Sequence, residues 1–261
     1  MQPVFRIRNL SVRIKGKTLL EIDALDIPAG STAVIGPNGA GKSTLLRALI
    51  GQAGQGEITL LGEAAAPQIR AGKAAWVGQH GRYNIPMTVR AAKRSLCHVG
   101  RRYNIPMTVR EYIVLAAFVQ KGRLNHEWAD ELLNYFDLAA LAEKRIGRLS
   151  GGEQQRANII RALLQNAPVL LLDEPCNHLD IRHQHRLMQY LVRHKSRASS
   201  VMVLHDLNLA ARYAEHIVLM DKGKIIAAGD AAAVMRPDLL EAVYGWPIRR
   251  CQDEEGIYFR S

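Results

Sequence analysis

The sequence has few cysteines: only Cys97, Cys176 and Cys251 occur among its 261 residues, and they lie far apart. A disulfide framework requires several cysteines that can pair, usually in a small secreted domain. Three scattered cysteines therefore argue against such a framework and favour a protein that works in a reducing compartment.

Long hydrophobic runs are also missing. No segment approaches the roughly 18 uncharged apolar residues that a membrane-spanning helix needs. The first residues, MQPVFRIRNLSVRIKGK, alternate between polar and apolar side chains and contain no apolar core of a secretory signal. The sequence therefore predicts neither a membrane span nor a signal peptide.

Positive charge is in excess, since 35 lysines and arginines stand against 24 aspartates and glutamates, which gives a net charge of +11. Such a surface suits an anionic partner, and nucleic acid, an anionic membrane face and a polyphosphate ligand all qualify. The remaining composition, 48% hydrophobic and 23% charged, is that of a globular protein. The length allows one large domain or a domain with a subdomain.

The most informative segment is STAVIGPNGAGKSTLLRALIG at 31–51. Residues 33–35 read as a short buried strand, a glycine-rich loop follows, and a helix continues to about Ile50. This is the strand–loop–helix context in which the motif GxxxxGK[ST] binds phosphates. The predicted phosphate-binding residues are Gly36, Pro37, Asn38, Gly39, Ala40, Gly41, Lys42, Ser43 and Thr44.

The residue types in this loop explain why it would bind a nucleotide. Glycines let backbone amides wrap the β-phosphate, where side chains would collide with it, and the helix N-terminus adds partial positive charge. Lys42 reaches the β- and γ-phosphates, and the hydroxyl of Ser43 can ligate Mg²⁺. The loop by itself leaves open whether the protein is a GTPase, a kinase, a helicase or a transport ATPase.

Two carboxylates follow an apolar strand in the segment APVLLLDEP at 167–175. Residues 169–172 are all apolar, as in a parallel-sheet strand that is buried on both faces. Asp173 and Glu174 therefore emerge at the sheet edge where ligands bind in open α/β folds. Asp173 is suited to hold Mg²⁺ through water, opposite Ser43, and Glu174 is suited to position or deprotonate an attacking water.

A second candidate anion site lies in LSGGEQQRANIIRALL at 149–164. Ser150, Gly151 and Gly152 open a long helix with an apolar stripe, and a Ser-Gly-Gly at a helix N-terminus can bind an anion. Because the chain already has one complete phosphate loop, a second one suggests a nucleotide that is bound from the other side by another copy of the protein.

Six motifs in this order resemble those of the nucleotide-binding subunit of ATP-binding cassette (ABC) transporters. They are GPNGAGKST as the Walker A motif, VGQ at 77–79 as the Q-loop, LSGGEQQR as the signature, VLLLDEP as the Walker B motif, NHLD at 177–180 as the D-loop, and LHDLN at 204–208 with the switch histidine. The resemblance extends over nearly the whole chain.

The resemblance implies a role for each motif residue. In that family two subunits enclose two ATP molecules, and each signature loop faces the other subunit's Walker A motif, so Ser150 and Gly152, with Gly151 between them, would contact the γ-phosphate in trans. Gln79 would sense Mg²⁺ and the γ-phosphate, and Asp180 would link the two sites. His205 would hold the γ-phosphate and the attacking water. The implied cofactors are ATP and Mg²⁺, the implied metal ligands are Ser43, Gln79 and Asp173, and the implied catalytic residues are Glu174, His205 and Gln79.

The resemblance also implies the fold, an α/β P-loop ATPase core with a RecA-like sheet, an N-terminal antiparallel β portion and an inserted α-helical subdomain. We place the nucleotide-binding core at 1–87 and 166–261 and the helical signature subdomain at 88–165. VREYIVLAAFVQ and NHEWADELLNYFDLAALAEKRI have helical periodicity, and DKGKIIAAGD reads as a β-hairpin that turns at Lys222 and Gly223. His205 follows the apolar residues VMVL as Asp173 follows its strand, so both are expected at the same sheet edge.

Three segments resemble the importer branch that serves ferric siderophores, haem and cobalamin: NHLDIRHQHRLMQYL, LHDLNLAARYAEHIVLMDKGKIIAAG and the tail LLEAVYGWPI. The chain would then act as a homodimer with a separate transmembrane permease and, indirectly, a substrate-binding protein. We expect it to be cytoplasmic and peripheral on the inner membrane, with no nucleic acid partner.

Other functions stay open. One is a soluble non-transport ATPase of the same superfamily, although translation factors usually carry two cassettes and DNA-repair ATPases carry a long coiled coil. Another is import of a different cargo such as a metal ion. Metal binding by His178, His183 and His185 is disfavoured because i and i+2 do not share a helix face. The basic run at 90–102 lacks interleaved aromatics, which favours a solvated loop over a nucleic-acid site.

Two features depart from the family pattern. Ile14 occupies the place of the aromatic on which adenine usually stacks, which predicts weak stacking. The nonapeptide RYNIPMTVR occurs at 82–90, after Gln79, and again at 102–110, before Glu111. Removal of 82–101 or of 91–110 gives the same uninterrupted cassette, which indicates a 20-residue insertion. The family docks its permease in this region, and we expect the second copy to occupy the native place.

Overall fold

The structure is a computed structural model that describes residues 2–78, 107–118, 125–254 and 256–260. The strands are β1 (Phe5–Ile14), β2 (Lys17–Ile27), β3 (Ser31–Ile35), β4 (Gln55–Leu60), β5 (Glu63–Ala64), β6 (Ala74–Val77), β7 (Val169–Asp173), β8 (Ser199–Val203), β9 (His216–Asp221), β10 (Lys224–Asp230), β11 (Arg249–Asp253) and β12 (Gly256–Arg260). The α-helices are α1 (Lys42–Leu49), α2 (Ala65–Arg70), α3 (Val109–Val114), α4 (His126–Tyr135), α5 (Gly151–Leu163), α6 (Ile181–Arg193), α7 (Leu207–Tyr213), α8 (Ala231–Val234) and α9 (Pro237–Tyr244).

A six-stranded sheet organises the described part of the chain, with the strand order β10-β9-β3-β8-β7-β6. Its five strands from β9 to β6 pair in parallel, and β10 pairs antiparallel to β9 through a turn at Lys222 and Gly223. All residues of β3, β7 and β8 are buried, which explains their continuous apolar sequences. The carboxyl ends of β3, β7 and β8 therefore lie next to one another at one edge.

A second sheet of four strands, in the order β2-β1-β4-β5, covers one face of this arrangement. Every pairing in it is antiparallel. The alternation of polar and apolar residues in the first segment of the sequence matches β1, in which Phe5, Ile7, Leu10 and Val12 are buried. The predicted N-terminal antiparallel β portion is thus present.

The large sheet separates two hydrophobic cores because successive residues of a strand point to opposite faces. Leu170 and Leu172 of β7 join the core shared with α3, α4, α5 and α6. Val169 and Leu171 of the same strand join the core shared with α1 and the antiparallel sheet. Each central strand therefore requires apolar residues at both its odd and its even positions, one set for each face.

Less of the segment between β6 and β7 is helical than its periodicity predicts. We expected helix along residues 125–146, but α4 ends at Tyr135 and only 3₁₀ turns follow, at Ala139–Leu141 and Ile146–Arg148. Asp137 adopts the left-handed conformation, with φ of 53°, which ends the helix just beyond Tyr135. The apolar residues after it still join the core, so their spacing reflected burial rather than continuous helix.

Hydrogen bonds hold the last residues of the second nonapeptide copy, 107–110, in place. Thr108 caps α3 in a reciprocal capping box with Glu111, and the backbone amides of Val109 and Arg110 donate to the carbonyls of Lys144 and Ala142. The amide of Ile146 donates in turn to the carbonyl of Met107. Gln79, the first copy at 82–90 and the basic run at 90–102 lie outside the described residues.

Within the described ranges, no helix is both long enough and apolar enough to cross a membrane.

Candidate active site

The phosphate loop between β3 and α1 is built on glycines that no other residue can replace without strain. Gly36 has a φ of 145°, and a Cβ atom there would lie 2.1 Å from the carbonyl oxygen of Met220. Gly41 has a φ of 100°, and its Cβ would lie 2.6 Å from the side chain of Leu20. The spacing of glycines in the sequence therefore answers two needs, left-handed backbone and close packing of the loop on its neighbours.

Lys42 opens helix α1 and turns its ammonium group back over the loop. Its Nζ donates to the carbonyl oxygens of Gly36, at 2.7 Å, and Pro37, at 2.9 Å. Burial lowers the pKa of Lys42, and this effect is opposed by the carboxylates of Glu174 and Asp173. The ammonium is thus a buried cation held by neutral carbonyls at the N-terminus of a helix, an arrangement that favours an anionic ligand.

Ser43 and Asp173 join the phosphate loop to the end of β7. The hydroxyl of Ser43 donates to Oδ1 of Asp173 at 2.7 Å. Asp173 is fully buried, burial raises the pKa of its carboxyl group, and among the described residues its Oδ2 atom has no hydrogen-bond partner. A buried, unsatisfied carboxylate oxygen beside a hydroxyl fits a small divalent cation such as Mg²⁺, which prefers oxygen ligands.

Glu174 lies one residue further on, where its carboxylate is held from both sides. Nε2 of His205 is 2.8 Å from Oε1, and the side-chain amide of Asn177 donates to Oε2. Glu174 is 8% exposed and adopts a left-handed backbone conformation, with φ of 53°. That conformation costs about 1–2 kcal/mol for a residue with a Cβ atom.

A cavity of about 620 Å³ lies over these groups, within the usual size range of ligand pockets. Sequence reasoning did not single out two of its lining residues. Leu19 comes from β2 and carries no motif, whereas Asn177 belongs to the NHLD segment but was not assigned to Glu174. The lining residues are Leu19, Asn38, Gly39, Gly41, Lys42, Ser43, Thr44, Glu174, Asn177 and His205.

The signature residues lie apart from this cavity. Ser150 caps α5 in a capping box with Glu153, and Gly151 and Gly152 form the first turn of the helix. Gly152 packs so closely that a Cβ atom would lie 2.6 Å from the carbonyl oxygen of His178. Asp180 caps α6, where its Oδ1 accepts the amide of His183 at 2.9 Å. The roles of these residues toward a second nucleotide remain predictions.

Ile14 and the histidines considered as metal ligands are not among the residues that line the cavity. Ile14 ends β1 opposite Lys17 and is 54% exposed. No group of three potential metal ligands occurs in the described part of the chain. His183 contacts Asp180 and Arg156, and Nδ1 of His185 lies 2.7 Å from the hydroxyl of Tyr213.

A glycine loop between a strand and a helix, with acidic and histidine side chains at the ends of neighbouring parallel strands, defines a P-loop nucleotide hydrolase. The sequence model of the ABC transporter family matches residues 20–177. The chain belongs to that family.

Relatives and solved structures agree with this assignment. The hemin import ATP-binding protein HmuV of Pseudomonas aeruginosa is 37% identical over 254 residues, which cover 93% of this chain and 92% of the relative. HmuV of Vibrio parahaemolyticus is 34% identical over 255 residues, which cover 92% and 90%.

Among solved structures, an ATP binding subunit of an ABC transporter is 25% identical with a TM-score of 0.71, covering 92% of this chain and 95% of that chain. A metal-chelate type ABC transporter in an inward-facing conformation is 22% identical with a TM-score of 0.74, covering 100% and 96%. The predicted family, fold class and class of enzyme, an ATPase of a transporter, are confirmed.

Proposed function

We propose that this chain is the ATP-hydrolysing subunit of a membrane importer for haem or a related metal chelate. The observation that carries the cargo class is the likeness to HmuV proteins, which bear the name hemin import ATP-binding protein and match this chain over more than nine-tenths of its length. The resemblance of the segments after the Walker B motif to the siderophore, haem and cobalamin branch supports the same class.

Binding of ATP would begin at the phosphate loop. The phosphates enter the cavity above Gly39 and Gly41, and Lys42 exchanges the carbonyls of Gly36 and Pro37 for phosphate oxygens. This exchange is favourable because two neutral acceptors are replaced by charged ones. Ser43 and Asp173 would hold Mg²⁺, and the ion, when bound, supplies positive charge that offsets the phosphates.

Hydrolysis would use the carboxylate of Glu174 as the group that accepts a proton from the attacking water. Asn177 and His205 hold its two oxygens, so the carboxylate does not rotate freely. His205 would also bind the γ-phosphate once ATP is present, and Gln79 would contribute from its own loop. These assignments rest on the contacts of Glu174 and on the motif resemblance.

The assembly would contain two copies of the chain and a separate permease. Each copy would present Ser150, Gly151, Gly152 and Asp180 to the nucleotide held by the other copy. The division into a core at 1–87 and 166–261 and a helical subdomain at 88–165 belongs to this proposal. So does a peripheral location on the cytoplasmic face of the inner membrane. A substrate-binding protein on the other side of the membrane would deliver the cargo to the permease.

Reconstitution tests this function directly. The chain is co-expressed with a candidate permease, placed in proteoliposomes, and assayed for ATP-dependent haem accumulation, with a ferric siderophore and cobalamin as alternative cargoes. The Lys42→Ala variant is the matched control for ATP dependence. Accumulation of haem supports the proposal. Co-purification with ribosomes or DNA and never with a permease would contradict it and favour a soluble ATPase of the same superfamily.

A further inference from the structure

His183 on helix α6 contacts both the NHLD segment and the signature segment LSGGEQQR. Its Nδ1 atom is 2.8 Å from Oδ1 of Asp180, the last residue of NHLD, and its Nε2 atom is 2.6 Å from Nη1 of Arg156, the last residue of LSGGEQQR. The side chain is only 10% exposed. A single imidazole ring therefore bridges the D-loop and the signature helix of the same copy.

The identity of the two partners determines the tautomer of the ring. A guanidinium group has donors and no acceptor, so Nε2 must be the acceptor and carry no proton. Nδ1 then carries the proton and donates to the carboxylate of Asp180. With this tautomer the ring accepts from Arg156 on one side and donates to Asp180 on the other.

Other charged groups surround this bridge. Oδ2 of Asp137, at the end of α4, is 3.4 Å from Nε2 of His183, and it is held by Arg186 at 2.6 Å and Arg182 at 3.3 Å. Burial lowers the pKa of Arg156, and the nearby carboxylate of Glu153 opposes this effect. The ring therefore contacts a residue of α5, the capping residue of α6 and Asp137, which lies two residues beyond α4.

The backbone repeats the connection that the ring makes. Gly152 of the signature lies against the carbonyl oxygen of His178, so closely that a Cβ atom would collide with it. Asp180 uses its Oδ1 atom for both the backbone amide and the ring of His183, at 2.9 and 2.8 Å. These two donors restrict the orientation of a carboxylate whose side chain is otherwise 67% exposed.

We propose that His183 is a positioning residue for ATP-driven dimerisation, since it fixes the orientation of Asp180 relative to the signature helix. The proposal rests on the proposed function, in which both segments meet the nucleotide of the second copy. Without the ring, Asp180 would keep only the helix-capping bond and could rotate, and Arg156 would lose its acceptor. The pocket for ATP within one copy, at Lys42 and Ser43, does not include His183, so ATP binding by the monomer is expected to be unaffected.

The test separates dimerisation from ATP binding. All variants are made in the Glu174→Gln background, where slow hydrolysis preserves the ATP-bound state. The dimerisation constant with saturating Mg-ATP is measured by analytical ultracentrifugation, and ATP affinity is measured with a fluorescent analogue at protein concentrations below that constant. We compare His183→Ala, His183→Asn and His183→Gln with His185→Ala, a matched histidine on the same helix that contacts Tyr213 instead.

We expect His183→Ala to weaken dimerisation about tenfold, a usual size for residues that couple two sites, with ATP affinity unchanged. Asn can still donate to Asp180 and Gln can still accept from Arg156, so each should recover part of the loss, and His185→Ala should match the parent. Parent-like dimerisation in all three His183 variants, an equal loss in His185→Ala, or a loss confined to ATP affinity would overturn the proposal. So would failure of all three to fold, because His183 would then serve stability.

The parent protein distinguishes this proposal from the function on which it rests. If the Glu174→Gln parent forms no dimer with ATP, the dimeric mechanism itself is wrong and the role of His183 falls with it. If the parent dimerises and His183→Ala dimerises equally well, only the role of His183 is wrong.

Discussion

Nε2 of His205 lies 2.8 Å from Oε1 of Glu174, and the two residues come from the ends of adjacent parallel strands, β8 and β7. Both residues line the cavity that also contains Lys42. Together with the hydrogen bond from Asn177, the contact between them holds both oxygens of the carboxylate. An oriented carboxylate beside a phosphate loop is what a base for water activation requires.

Replacement of this carboxylate should separate binding from hydrolysis. Glu174→Gln keeps the shape and the hydrogen bond to Asn177 but removes the acceptor of the proton, so ATP turnover should fall roughly 10²–10⁴-fold while ATP affinity stays the same. Release of phosphate and equilibrium binding of a fluorescent ATP analogue measure the two quantities. Turnover equal to that of the unchanged protein would show that another group is the base.

Loss of the buried ammonium should abolish nucleotide binding. Lys42→Ala removes the side-chain charge that meets the phosphates, and a charge-assisted contact of this kind contributes about 1.5–3 kcal/mol each time it is made. Titration with the same analogue should therefore show no saturable binding. The control is Lys222→Ala, a lysine that is 90% exposed in the β9–β10 turn and should bind ATP normally.

Removal of the charge from Asp173 should stabilise the protein without its ligands. Burial raises the pKa of this carboxyl group, so between the ordinary value and the raised value the folded state binds more protons than the unfolded state. Stability is therefore lost as the pH rises through that interval. Asp173→Asn removes the penalty and can still accept the hydrogen bond of Ser43, so the melting temperature at neutral pH should rise by roughly 2–4 °C.

Thermal melts of the two proteins between about pH 4 and about pH 8, with chelator present, check this sign. The difference should shrink toward the acidic end and disappear near the ordinary pKa of aspartate. Asp26→Asn is the comparison, because the hydrogen bond from Arg8 lowers the pKa of Asp26 on an exposed surface; it should not stabilise the protein at neutral pH. A variant Asp173→Asn that melts earlier than the parent at pH 7 would mean that the charge is needed for folding.

The place of Ile14 predicts a change in base affinity. Aromatic stacking on a base contributes about 1–3 kcal/mol, of which isoleucine retains a part through apolar contact. Ile14→Tyr should then tighten ATP binding by about tenfold. Ile14 is exposed at the tip of the β1–β2 hairpin, so the substitution should leave the melting temperature unchanged. An unaltered affinity would assign the contact with the base to another residue, such as Leu19, an apolar residue that lines the cavity.

The same threonine-to-alanine substitution should destabilise the protein in the second nonapeptide copy and have no effect in the first. Thr108 caps α3 with Glu111 as the reciprocal partner, so Thr108→Ala should cost about 1 kcal/mol of stability. Thr88→Ala, the same change in the first copy, should cost nothing, because Ala91 stands where the second copy has Glu111 and cannot complete a capping box. Urea unfolding of both variants decides the question, and equal losses would mean that both copies serve as caps.

Deletion of 91–110 extends this test to function. The product joins Thr88 to Glu111 at the same spacing as Thr108, so the capping box can be preserved. Basal ATPase of the isolated subunit should hardly change, because the residues that line the cavity lie elsewhere in the chain. Permease-stimulated ATPase should hold or rise. A product that fails to fold would show that the extra residues belong to the core.

Much of this molecule follows from local sequence. The glycine-rich loop before α1, the apolar run before Asp173 and the helix that opens at Ser150 each depend on a few neighbouring residues, and each appears in the structure as predicted. The left-handed backbone of Gly36 and Gly41 and the capping box of Ser150 with Glu153 are details that the structure adds. The segment after Tyr135 shows where local sequence is insufficient. Its apolar spacing predicts a helix, but in the structure the same spacing comes from burial of the apolar residues.

Contacts between particular side-chain atoms depended on tertiary structure. The sequence placed Asp173 opposite Ser43, but the direct hydrogen bond between them appears only in the structure. The pairing of Glu174 with His205 and the contact of His183 with Arg156 join residues whose separation in the chain carries no signal. The sequence by itself determined the phosphate loop, the acidic strand end and the family, because backbone conformation and burial are local demands on residue type. Which oxygen faces which donor, and that Leu19 rather than Ile14 lines the cavity, was decided only when the two sheets packed together, since side-chain partners depend on the register and packing of elements far apart in the chain.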